Sequence, residues 1–88
     1  MKQVFKYPIP IRDDFSLALP GGARILDVQV QNGVGCIWAL VDASIPPIMR
    51  RFRLAGTGHP LNEPHLIHIG TFQLEGGALV FHLFEVEP

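Results

Sequence analysis

Along most of the chain apolar and polar side chains alternate with a period of two rather than 3.6, which predicts strands rather than helices. The 9 glycines and 8 prolines interrupt this pattern at short intervals and leave no window for a helix of ordinary length. The first extended segment is Gln3–Tyr7, closed by Pro8-Ile9-Pro10, where two prolines remove backbone donors. Phe15–Leu19 follows, with Phe15, Leu17 and Leu19 on one face, and Pro20-Gly21-Gly22 turns the chain. Arg24–Gln31 sets Leu26, Val28 and Val30 against Asp27, Gln29 and Gln31. Asn32-Gly33 then predicts a hairpin, because a type I′ turn needs positive φ at both central residues. Val34–Val41 is apolar on both faces, so it is either central or covered by another subunit.

The second half reads the same way. Ile48–Leu54 puts Ile48, Phe52 and Leu54 on one face and Arg51 and Arg53 on the other, and Arg50 falls in conflict on the apolar face. Gly56–Pro64 is a long loop. Leu66–Leu74 and Ala78–Val86 form a second hairpin across Gly76-Gly77, and a two-residue turn there pairs Leu74 with Leu79, Phe72 with Phe81 and His68 with Glu85. His82 then falls opposite Thr71. The expected fold is all-β: one domain over residues 1–88, a compact seven-strand antiparallel sandwich or small barrel.

Composition adds an expectation of self-association. Hydrophobic residues make up 48% of the chain and charged residues only 17%, a thin polar cover for so small a domain. A homo-oligomer would bury the surplus. Ile37, Ala39 and Val41, with Val80, Phe84 and Val86, are the expected interface, since one small core has no evident place for them. The alternative is that the loop Gly56–Pro64 covers one of these strands. The net charge of -1 gives no overall attraction to nucleic acid or to an anionic membrane. A single cysteine allows no internal disulfide, and Met1–Lys6 holds no long apolar run, so a cytoplasmic protein is expected.

Candidate chemistry is sparse. His65 and His68 lie three apart, which on a strand points them to opposite faces unless His65 still belongs to the loop, and His82 lies away from His68; no transition-metal site or cofactor is expected. Cys36 reads as a buried, inert thiol, and Ser16 and Ser44 lack a nucleophile-elbow context. No catalytic constellation emerges, which favours a non-enzymatic reading. Arg50-Arg51-Phe52-Arg53 is the one basic cluster. Arg51 and Arg53 are the expected contacts for an anionic ligand, because a guanidinium matches phosphate bidentately. The loop Gly56-Thr57-Gly58-His59 is the second contact, as a backbone nest.

The chain resembles a family of small uncharacterised proteins of bacteriophages and prophages. The similarity rests on Phe5-Lys6-Tyr7-Pro8, Leu19-Pro20, Ile25-Leu26, Val28-Gln29, Trp38–Asp42 and Gly56–Pro60. It continues through Ile69–Gln73 and Leu79–Phe84. That family has no assigned activity. The resemblance implies an accessory protein made inside a bacterium. The expected function is binding, as counter-defence that captures a host protein or an anionic signalling nucleotide. The alternatives are a minor structural component of a phage particle and a small cupin-like metal-dependent enzyme.

Overall fold

The computed structural model describes residues 1–88. Seven strands run in chain order: β1 (Gln3–Pro8), β2 (Asp14–Pro20), β3 (Arg24–Gln31), β4 (Val34–Val41), β5 (Pro47–Gly56), β6 (Leu66–Leu74) and β7 (Leu79–Val86). They form two antiparallel sheets, ordered β1-β4-β3 and β2-β5-β7-β6. No helix is long and apolar enough to cross a membrane.

The inward-facing residues of both sheets make one core, from Phe15 and Leu19 on β2, Val28 on β3, Phe52 and Leu54 on β5, Phe72 on β6 and Leu83 on β7. Phe15 stacks on Phe52 with ring centroids 5.4 Å apart, and Phe72 meets Phe81 at 5.7 Å. Ile37, Ala39 and Val41 also belong to this core, at 0%, 0% and 1% exposure. That corrects their assignment to an oligomer interface. β4 is the middle strand of its sheet, and these three face the other sheet, so one small core does hold them. Trp38 and Leu40 lie half-buried on the outer face of the same strand.

Of the two hairpins, the first has the expected turn. Asn32 and Gly33 both take positive φ, 52° and 77°, and Gln31 pairs with Val34. The second keeps its predicted Leu74–Leu79 and Phe72–Phe81 pairs but not its turn. Glu75, Gly76 and Gly77 form one short 3-10 turn, each with positive φ, so Glu75 and Ala78 do not pair and the loop beyond the last pair, Leu74–Leu79, is four residues long rather than two. The pairing of His68 with Glu85 also fails. A bulge between His68 and Gly70 shifts the register by one, so His68 meets Phe84 and Ile67 meets Glu85. A second bulge, between Ile25 and Asp27, breaks the expected alternation of β3. Leu26 is left unpaired and 46% exposed, while Ile25 turns in to pack on the core. Asp27 holds this bulge by accepting from the Val28 N–H (2.8 Å) and from Gln29 Nε2 (2.9 Å).

Candidate functional site

The two bulges face each other. β3 and β6 are edge strands of different sheets, and they pack together along a seam. At the middle of the seam the sheets close tightly: a Cβ on Gly70 would lie 2.7 Å from Val28 Cγ1. Only glycine permits that approach. One step further along, Leu26 and Ile69 bulge out of their ladders and the seam opens. Bulges recur beside binding sites because they re-aim side chains and end strand pairing.

The opening is a cleft of about 520 Å³ lined by Ala23, Arg24, Ile25, Leu26, Arg50, Ile67, His68, Ile69 and Glu85. Arg50 accounts for the conflict in the alternation of β5. It does point inward, and Glu85 on β7 meets it there with both carboxylate oxygens. Arg50 Nε donates to Oε2 at 2.6 Å and Nη2 donates to Oε1 at 2.7 Å. Nη1 donates to the Ala23 carbonyl at 2.5 Å. The two side chains are only 19% and 16% exposed. This two-pronged match is the strong form of an arginine–carboxylate pair. The hydrogen bonding that Glu85 accepts holds the Arg50 pKa above its ordinary value. A guanidinium has more N–H donors than these three bonds consume. Arg24 and His68 stand at the rim, both exposed, and the two guanidiniums give the cleft a positive excess over the single carboxylate.

Of the residues expected to hold a ligand, Arg53 reaches the loop and Arg51 does not bond to it. Arg53 is committed to the loop. Its Nε donates to Glu63 Oε1 at 2.8 Å, and its Nη atoms donate to the carbonyls of Asp13, Leu54 and Pro60. That hydrogen bond holds the Glu63 carboxyl below its ordinary pKa. Arg51 is exposed and lines a second hollow with Ile48, Met49 and Val86, which shares Arg50 and Glu85 with the cleft. In the loop, Gly58 has φ 87°, and the His59 ring packs over Gly56, where a Cβ would sit 3.0 Å from Cε1. Thr57 Oγ1 lies 2.7 Å from His82 Nε2, and Thr71 Oγ1 lies 2.9 Å from its Nδ1. His82 is thus held at both ring nitrogens by hydroxyls. Its position opposite Thr71 was legible in the sequence; its contact with Thr57 was not.

The remaining expected interface residues, Val80, Phe84 and Val86, lie half-buried on the outer face of β7. Phe84 packs against His68 with ring centroids 5.3 Å apart. Val80 lines a hollow with Thr57 and His59, so the Gly56–Pro64 loop flanks this face. Cys36 is buried at 2% exposure.

The model of a domain of unknown function, DUF7352, matches residues 1–88, and the chain belongs to that family. No curated protein and no solved structure matches the chain.

Proposed function

We propose that this DUF7352 member is a non-enzymatic binding protein whose ligand seat is the bulged cleft between β3 and β6. The ligand we infer is a small anion with an apolar or aromatic part, as in a nucleotide. The observation that carries this reading is the Arg50 guanidinium, fixed by Glu85 at the floor of a hollow that Arg24, His68 and five apolar side chains line. A cation fixed before binding loses little side-chain freedom when an anion arrives. Arg24 at the rim supplies a second, freer guanidinium, and Ile25, Leu26, Ile69 and His68 offer surfaces for a base or other flat group. The resemblance to phage and prophage proteins supports a setting in the bacterial cytoplasm, where the ligand would be a signalling nucleotide of a host defence system.

Calorimetric titration with cyclic dinucleotides and nucleoside monophosphates tests the proposal. At least one should bind, and Arg24→Ala should weaken it by about tenfold, the scale of one lost charge-assisted contact. Arg51→Ala should leave the affinity unchanged. No binding by any nucleotide, or binding indifferent to Arg24→Ala, contradicts the proposal.

A further inference from the structure

β1 has β4 as its one strand neighbour, so its other side is a free edge. The direction of its backbone groups follows from the ladder. Ile9 N–H donates to the Gly35 carbonyl, which continues the β1–β4 register. In an antiparallel ladder hydrogen-bonded pairs alternate with non-bonded ones. The odd-numbered residues of β1 therefore bond to β4, and Val4 and Lys6 turn their N–H and C=O groups outward. Pro8 falls in the outward set, where its missing N–H costs no bond to β4.

Two large apolar side chains stand exposed on this edge, beside Gln3 and Lys6. Val4 is 54% exposed and Phe5 37%, at positions where a regular strand could be covered. The other edges differ. β3 and β6 each carry a bulge that interrupts the ladder, and they pack on one another. On β2 the inward Phe15 and Leu19 are already buried, and the outward side chains are Asp14, Ser16 and Ala18. Pairing at β2 would cover little apolar surface.

We propose that β1 pairs antiparallel with β1 of a second copy, joining two three-stranded sheets into one of six across a two-fold axis at Phe5. Three considerations select this register. Opposed residues must share a face, so the sheets stay continuous only if even positions meet even and odd meet odd. Placing Phe5 opposite Phe5 sets Val4 opposite Lys6 of the partner subunit, and these residues exchange their free backbone hydrogen bonds. Sliding by one step in either direction sets Lys6 against Lys6 of the partner subunit, or Lys2 against it, and like charges directly opposed are unfavourable. The Phe5 pair is then a non-hydrogen-bonded one, the closer kind, with Cβ atoms about 5 Å apart.

Sedimentation at micromolar concentration should show a dimer. Lys6→Pro removes an outward N–H without removing a bond to β4, and should weaken the dimer by about tenfold to a hundredfold. Lys6→Ala, which keeps the N–H, should leave the dimer intact. Phe5→Cys should cross-link to itself under mild oxidation and Val4→Cys should not; Cys36 is buried and does not interfere. A monomeric wild type contradicts the proposal. So does a dimer in which Phe5→Cys fails to cross-link, and this second readout holds even if the proline variant does not fold.

Discussion

Two arginine–carboxylate pairs leave the same strand, β5, on opposite faces, and they do different work. Arg50 goes inward to Glu85, which engages it with both oxygens between the sheets. Arg53 goes outward to Glu63, which uses Oε1 alone; the enclosed Oε2 accepts no hydrogen bond. The inner pair joins two strands of one sheet and forms the floor of the cleft. The outer pair ties the 57–65 loop down over the sheet. The sequence shows three arginines in a row of four, yet strand alternation and two distant carboxylates separate them. Clustering in sequence on a strand does not make a cluster in space.

The largest effect should come from the inner pair. Glu85→Ala leaves the Arg50 guanidinium in a largely enclosed site without its carboxylate. Breaking such a pair by removing one partner is strongly destabilising, and the residual exposure here lowers the expected cost to about 2–3 kcal/mol. In a domain of this size that is a fall of roughly 10 °C or more in melting temperature. A loss no greater than that of Glu63→Ala would erase the distinction between the two pairs.

Next comes the seam that ends the cleft. Gly70→Ala places a methyl 2.7 Å from Val28 Cγ1, and Val28 is buried. Overpacking of this kind costs about 1–3 kcal/mol. Because the added methyl pushes β3 and β6 apart beside the cleft, ligand affinity should change along with stability in denaturant titrations. Stability lost with affinity unchanged would detach the cleft from the seam.

The smallest effect concerns the outer pair and depends on pH. The Glu63 carboxyl is held below its ordinary value of 4.5 by Arg53. A depressed folded-state value means that the tether is present above the ordinary value and is lost as pH falls through the lower one. Amide exchange in residues 57–65 should therefore quicken in acid, with little change in global melting. Glu63→Gln should show the quick exchange already at neutral pH. Protection that stays the same in both cases would make the tether ornamental.

How much of this could be read from the chain depends on the distance over which each feature is decided. Asn32-Gly33 names its own turn, and the strands it joins pair as expected, because the decision is local. The second hairpin was legible in its pairs but not in its turn, since Glu75 adopts a positive φ that its residue type does not signal. Arg50 was visible as a conflict, but its partner was not. β5 and β7 are separated in sequence by β6, and no local pattern announces that Phe52 pairs with Glu85. The bulges at Leu26 and Ile69 were invisible for a related reason. Leu26 and Ile69 are ordinary strand residues, and only the packing of two sheets decides which apolar side chain is expelled. The expected interface at Ile37, Ala39 and Val41 failed because a central strand can bury one face against the opposite sheet and half-cover the other.

The inner pair is the ligand floor we propose, and the location of binding tests this most directly. A heteronuclear NMR titration with the nucleotide that binds most tightly would report it. The account predicts the largest shifts at Arg24, Ile25, Leu26, His68 and Ile69, with Arg51 and the Gly56–His59 loop unmoved. Shifts centred on Arg51, Arg53 and that loop would contradict it.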